Sequence, residues 1–181
     1  ITVAAAPDRP LRGSYSLANN TRRVGLADVK PIVPSFDGHG HLLASWTPHP
    51  RGVRDRTTVV VVHGGHGLVT SNFATAVWAR DVLEANVLVL DSYWSRGREE
   101  NWETYTRFGA NMRALDAIAA GRWLRDIQHV DPSRTYLYGD SQGGWTVLRM
   151  FTDAASWTHY PDQTHAWDTA NRGDHTPAVD G

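Results

Sequence analysis

Apolar residues are arranged in two different patterns along this chain, unbroken runs and helical spacing. Residues 57–62 (TTVVVV) and 87–90 (VLVL) are unbroken β-branched or apolar runs, which is typical of strands buried on both faces of a sheet. Residues 134–138 predict a third strand. Apolar residues at helical spacing predict three helices, in residues 72–85, 105–127 and 142–152. The apolar side of the first is predicted to consist of Phe73, Ala76, Val77 and Leu83. Strand alternating with helix predicts an α/β fold, a mostly parallel twisted sheet with helices on both faces.

The chain before the first buried strand has another pattern. Residues 30–46 carry two prolines and an Asp-Gly turn at 37–38 before an apolar segment, which predicts an antiparallel hairpin. Residues 1–29 are polar and without sustained periodicity. We therefore expect them to form an N-terminal extension or an edge element, and residues 30–181 to form the main domain.

Composition and charge narrow the classes of partner. The sequence is 41% hydrophobic, enough to bury a core in one domain of 181 residues. Lysine and arginine (18) nearly balance aspartate and glutamate (19), which argues against nucleic acid as a partner. The longest apolar runs are far shorter than the roughly 20 residues of a membrane span. The absence of cysteine excludes disulfides and thiol nucleophiles, but leaves the compartment open, cytoplasmic or exported.

The most specific motif lies in residues 139–143 (GDSQG), a G-x-S-x-G sequence between the third predicted strand and the third predicted helix. Glycines at these positions allow a sharp strand-to-helix turn, and a helix N-terminus favours developing negative charge. An isolated match would more often be a structural turn. In this context, the motif predicts that Ser141 is a nucleophile.

A glycine-rich loop follows the first buried strand, in residues 63–67 (HGGHG). Backbone amides in such a loop can point at the carbonyl oxygen that the serine converts to an oxyanion. We expect Gly65 and Gln142 to be the N–H donors, with His63 and Gly64 supporting the loop. The alternative is a flexible turn that merely connects a strand to a helix.

Short motifs also follow one another in a set order along the chain. They are His63-Gly64-Gly65, then Asp91-Ser92-Tyr93 with Arg96-Gly97, then Val130-Asp131-Pro132, then residues 139–144 (GDSQGG). This order resembles the dienelactone hydrolase-like branch of the α/β-hydrolases, with serine as the nucleophile. The similarity covers about residues 30–153 and resumes at residues 160–168 (YPDQTHAWD). It implies the α/β-hydrolase fold and no cofactor.

The resemblance also implies roles for three residues outside the serine motif. His165 corresponds to the general base, which takes the proton from Ser141 and later donates it to the leaving alkoxide. Asp91 and Arg96 match a family motif at a strand end near the site. For this pair we favour a structural role, as an ion pair that braces the loop.

The chain is too short between Ser141 and His165 for one part of the family pattern. In the family, two further strand-helix units separate the serine from the histidine, and the triad acid follows the later strand. Here 24 positions separate Ser141 from His165, and the predicted helix uses nearly half of them. One crossover alone takes at least about 10 to 12 residues, so two do not fit. The segment with the later strands and the acid is therefore expected to be absent, between about residues 153 and 157.

Three explanations compete for the missing acid: residues absent from this sequence, a genuine deletion, or a compact variant in which another carboxylate takes over. We favour the first. The carboxylates of Asp153, Asp162 and Asp168 are available, but a helix end, a turn residue and a solvated side chain are the better interpretations of these positions.

The sequence thus predicts a serine hydrolase that cleaves a carboxylic ester of a small acyl substrate. Peptidase or thioesterase activity on the same fold, and an inactive hydrolase-fold module that binds a ligand or partner, are the alternatives. Histidine pairs at 63 and 66 and at 39 and 41 suggest a metal, but the further ligand spacing of a hydrolytic zinc site does not follow. We therefore predict no metal. The oligomeric state stays open.

Overall fold

The computed structural model describes residues 24–36, 40–96 and 109–150. Its strands are β1 (Lys30–Pro34), β2 (His41–Thr47), β3 (Thr58–Val62), β4 (Asn86–Asp91) and β5 (Thr135–Gly139). Its α-helices are α1 (Thr70–Val82), α2 (Ala110–Asp126) and α3 (Gln142–Met150). Two short 3₁₀ helices cover Trp94–Arg96 and Pro132–Arg134.

The five strands form one sheet in the order β1-β2-β4-β3-β5. β3 lies between β4 and β5 and is parallel to both, while β2 is antiparallel to β1 and β4. The hairpin predicted for residues 30–46 is confirmed in its two strands, and its turn at 37–39 lies outside the described residues. The prediction of a mostly parallel sheet is also confirmed.

Helices cover both faces of the sheet, because alternate side chains of the central strands point in opposite directions. One face packs Val60, Val62 and Leu88 against Leu124 of α2, with Val147 of α3 at its margin. The opposite face carries Val59, Val61, Val87 and Val89, and these pack against Phe73, Ala76 and Ala79 of α1. β3 and β4 are buried along their whole length, as their unbroken apolar runs predict.

The prediction for α1 needs a correction. Residues 72–85 were expected to be helical with Leu83 on the apolar side, but α1 runs from Thr70 to Val82, and Leu83 is 44% exposed. The buried positions are Phe73, Ala76 and Ala79, and Ala85 is buried beyond the helix. The chain turns at Leu83 to enter β4, so this leucine no longer shares the face that packs on the sheet.

The segment just before β1 packs on the sheet. Leu26 is buried with the α1 side of the core. Ala27 accepts a hydrogen bond from Ser45 Oγ (2.6 Å) and donates its N–H to Thr47 Oγ1 (2.9 Å). Residues 24–29 are thus attached to β2, and the rest of the predicted N-terminal extension lies outside the described residues.

β5 is the last strand that the structure describes, and among the described strands it pairs with β3 alone. Tyr136 and Tyr138 on its outer face are 59% and 42% exposed. Residues after Met150, where the sequence predicted the absent acid segment, lie outside the described part. None of the helices within the described ranges is long and apolar enough to cross a membrane.

Candidate active site

The turn between β5 and α3 consists of Asp140 and Ser141 alone, because β5 ends at Gly139 and α3 begins at Gln142. Ser141 has a φ of 51°, in the left-handed region. This conformation costs an L-residue about 1–2 kcal/mol. The Ser141 carbonyl accepts the N–H of Trp145 (3.2 Å) and so starts the helix, while its side chain is exposed. The hydroxyl is therefore presented to solvent at the N-terminus of α3.

Two glycines of the motif make this turn possible. A Cβ at Gly139 would overlap the Gly143 carbonyl, and a Cβ at Gly143 would lie 2.7 Å from the carbonyl oxygens of Val62 and His63. The backbone at the start of α3 therefore touches the backbone at the end of β3. Only residues without a side chain allow this approach.

The same approach brings the glycine-rich loop to the serine. A Cβ added at Gly64 would lie 3.4 Å from Ser141 Cβ. The Gly64 carbonyl contacts His63 Nδ1 (2.7 Å) and accepts the N–H of Gly67 (3.3 Å). In a trans peptide the following N–H points opposite to the carbonyl. The Gly65 N–H is therefore directed away from the His63 ring.

His63 is fully buried and holds this loop in place. Its Nε2 accepts the N–H of Ser92 (3.1 Å), so the ring proton is on Nδ1, which donates to the Gly64 carbonyl. Burial, and secondarily the charge of Arg113, keep the pKa of His63 well below 6.5. A neutral imidazole with both nitrogens engaged supports the loop and is not available to bind a metal. The described residues contain no cluster of three metal-ligating side chains.

Two buried residues outside the predicted site, Tyr93 and Arg113, connect the loop to the start of α3. The Gln142 side chain is buried, and its Oε1 accepts hydrogen bonds from Tyr93 Oη (2.7 Å) and Arg113 Nη1 (2.9 Å). Arg113 also donates through Nη2 to the His63 carbonyl. The available signal was a charged residue inside the apolar face of α2, beside Met112.

Asn72, at the start of α1, supports the turn from the other side. Its Nδ2 donates to Asp140 Oδ1 (3.1 Å), and its Oδ1 accepts the N–H of Val69 (2.9 Å). Asn72 is 1% exposed. The residue before Ser141 is thus tied to the segment that follows the glycine-rich loop.

Asp91 contacts the backbone of the loop after β4. Its Oδ1 accepts the N–H groups of Trp94 (2.6 Å) and Ser95 (3.3 Å). The side chain of Arg96 is outside the described part, so the Asp91–Arg96 ion pair stays a prediction. His165 and the carboxylates of Asp153, Asp162 and Asp168 lie outside it too.

Asp91 should make stability depend on pH. Burial raises the pKa of its carboxyl from 3.8 to about 6. A folded-state pKa above the unfolded one gives stability that is complete below pH 3.8 and is lost as the pH rises through about 6. Asp91→Asn keeps the Oδ1 acceptor and removes the ionisation. Between pH 4 and pH 7 the free energy of unfolding of the variant should therefore rise by about 2 kcal/mol relative to that of the wild type.

Urea unfolding of both proteins at pH 4 and pH 7 measures this gain. Asp126→Asn is the surface control, because the hydrogen bond from Arg125 lowers the pKa of the exposed Asp126 carboxyl. The same substitution there should produce no such gain. Parallel pH profiles of wild type and Asp91→Asn would contradict the assignment.

Comparison with known proteins found similar structures. No family model and no curated protein matches the sequence. The structure is similar to a puromycin-hydrolyzing peptidase of Mycobacterium tuberculosis, at 25% identity and a TM-score of 0.53 over 71% of this chain. It is also similar to EstE1, a thermophilic and thermostable carboxylesterase cloned from a metagenomic library, at 18% identity and a TM-score of 0.50 over 81% of this chain.

These similarities confirm the α/β-hydrolase fold that the sequence predicted. The chain spans 21% of the length of the peptidase and 49% of that of the carboxylesterase. The shared region is therefore a part of each enzyme.

Proposed function

We propose that this chain carries the nucleophile of a serine hydrolase that cleaves carboxylic esters through an acyl-enzyme intermediate. The observation that supports this most is the exposed Ser141 in a left-handed conformation at a strand-to-helix turn, beside a glycine-rich loop. Strained backbone at an exposed serine costs folding free energy, and such strain concentrates at functional sites. A sharp, strained strand-to-helix turn is also the geometry of the nucleophile elbow in α/β-hydrolases, which supports the proposal.

In the proposed reaction, Ser141 Oγ attacks the ester carbonyl and forms a tetrahedral intermediate. The N–H groups of Gly65 and Gln142 stabilise its oxyanion. Gln142 is the first residue of α3, so the positive end of the helix dipole adds to this stabilisation. Collapse of the intermediate releases the alcohol, and water then hydrolyses the acyl-serine to release the acid.

His165 is the proposed general base, and this role rests on the family resemblance. It takes the proton from Ser141 during attack, donates it to the leaving alkoxide, and then activates water in the second half of the reaction. The neutral, buried His63 is not an alternative, because both of its ring nitrogens are already engaged. The residue that orients His165 stays unassigned.

Peptide hydrolysis is the second candidate, because the puromycin-hydrolyzing enzyme with the TM-score of 0.53 is a peptidase. An ester and an anilide with the same acyl group, p-nitrophenyl butyrate and butyryl p-nitroanilide, separate the two activities. An esterase should hydrolyse p-nitrophenyl butyrate much faster than butyryl p-nitroanilide. Faster turnover of the anilide would overturn the ester assignment and retain the serine chemistry.

A fluorophosphonate probe tests the nucleophile directly. We expect the native protein to gain one probe mass, located by peptide mapping on the segment that contains Ser141. Urea-denatured protein is the control, because an unfolded serine has no activation. Absence of labelling in folded protein would contradict the proposal and favour an inactive binding module.

A further inference from the structure

The buried Arg113 makes contacts that the proposed reaction has not yet used. It lies on α2 and is 1% exposed, yet its guanidinium bonds to two segments that are far apart in the sequence, the glycine-rich loop and the first residue of α3. Nη2 donates to the backbone carbonyl of His63, and Nη1 donates to the side chain of Gln142 (2.9 Å). These two segments contain the two proposed oxyanion donors.

The first contact orients the peptide group between His63 and Gly64, and the second holds the side chain of Gln142. His63 precedes Gly64, whose carbonyl is fixed by the His63 ring, and the next N–H is the Gly65 donor. Gln142 carries its own donor N–H, and its side chain is fixed by Arg113 together with the Tyr93 hydroxyl (2.7 Å). Arg113 thus holds together the two segments that carry the donors, one at His63 and one at Gln142.

The free-energy cost of burying Arg113 also indicates that this residue has a role other than stabilising the fold. Burial lowers the pKa of its guanidinium, and the charges of Tyr93, Asp116, Asp91 and Asp140 act against that shift. Removing a charged group from water is expensive, and an apolar side chain of similar size would often stabilise a fold equally well or better. What an apolar residue cannot supply is a planar fork with two donors, one for the glycine-rich loop and one for Gln142.

We propose that Arg113 is a positioning residue for the oxyanion hole of the hydrolase. It acts through the His63 carbonyl and the Gln142 side chain and does not touch the substrate. The inference rests on the proposed function, because it needs Gly65 and Gln142 to bind an oxyanion.

Arg113→Met tests the inference, since it keeps most of the volume and removes both donors. We expect the rate constant of fluorophosphonate labelling and kcat for p-nitrophenyl butyrate to fall by about 10- to 100-fold, because small misplacements of catalytic groups cost up to about that factor. KM should change by less than about 3-fold, since the donors bind the transition state in preference to the ground state. A residue that merely stabilised the fold would lower the melting temperature and leave kcat of the folded protein unchanged.

Arg125→Met is the matched control, because Arg125 lies on the same helix, is exposed and pairs with the adjacent Asp126. It should retain wild-type labelling and turnover. If Arg113→Met does not fold, Arg113→Lys and Tyr93→Phe decide the question by the same measurements. The lysine keeps the charge without the fork, and the phenylalanine removes one of the two donors to Gln142 Oε1. Each should lower kcat several-fold.

The outcomes separate the two proposals. A wild-type protein that is neither labelled nor active overturns the proposed function and, with it, the positioning role. A labelled, active wild type whose Arg113 and Tyr93 variants keep kcat and the labelling rate overturns the positioning role alone. A fall in kcat for these variants, with unchanged turnover in Arg125→Met, supports it.

Discussion

Ser141→Ala should lower the rate of ester hydrolysis by on the order of 10⁶-fold in a protein with a complete triad, and by on the order of 10²-fold where the triad acid is absent, because loss of the acid alone already costs about 3 × 10⁴ in turnover. The substitution removes the atom that forms the acyl bond and leaves the turn unchanged, because alanine has the same Cβ in the same left-handed conformation. Turnover of p-nitrophenyl butyrate by wild type and variant measures the effect. Thermal unfolding should be nearly unchanged.

Ser141→Gly provides a second readout at the same position. It should lose activity to the same extent, but it should be more stable than Ser141→Ala by about 1 kcal/mol, because glycine adopts a φ of 51° without strain. An alanine variant that retained more than about one tenth of wild-type turnover would show that another group is the nucleophile, since proximity to the oxyanion donors alone does not sustain such a rate.

Gly143→Ala should destabilise the protein by about 3 kcal/mol or more, at the upper end of what an overpacked methyl group costs. Its Cβ would meet the backbone oxygens of Val62 and His63 at 2.7 Å, and neither can move without displacing β3. Any protein that remains folded should also lose labelling by fluorophosphonate, because α3 would have to move away from the glycine-rich loop. Urea unfolding and probe labelling measure the two effects.

Gly121→Ala is the matched control for that substitution. Gly121 lies within α2, and a Cβ there meets nothing within 4 Å. The same added methyl should stabilise the protein by about 0.5–1 kcal/mol through helix propensity. Equal stabilities of the Gly143→Ala and Gly121→Ala variants would contradict the close backbone contact.

The sequence predicted the sheet well because burial on both faces leaves a strong pattern. The uninterrupted valines of β3 and the run in β4 have no other common explanation in a chain with turn signals around them. The G-x-S-x-G spacing likewise predicted the turn at Ser141, since the glycines serve a local steric need. Helix ends were predicted less well, as Leu83 shows, because the end of α1 depends on where the chain must enter β4.

The buried polar network could not be predicted from the sequence. Tyr93, Arg113 and Gln142 are separated by 20 and 29 positions, and only the packing of α2 against two loops brings them together. Nor could the orientation of His63 be predicted, because a histidine after a strand is compatible with a base, a ligand or a brace. Its bond to Ser92 N–H decides among these roles, and that bond depends on the neighbouring strand.

The parallel register of β3 and β5 pairs Val62 with Gly139, the last residue of each strand. The loop and the turn therefore leave the sheet at the same height, one inter-strand spacing apart. Loss of a single residue within β5 would shift the serine by about 3.3 Å along the strand and would direct its side chain to the opposite face of the sheet. The register between these two strands thus sets the position of Ser141 relative to the glycine-rich loop. We therefore expect insertions to be tolerated in the surface connections but not within these five-residue strands.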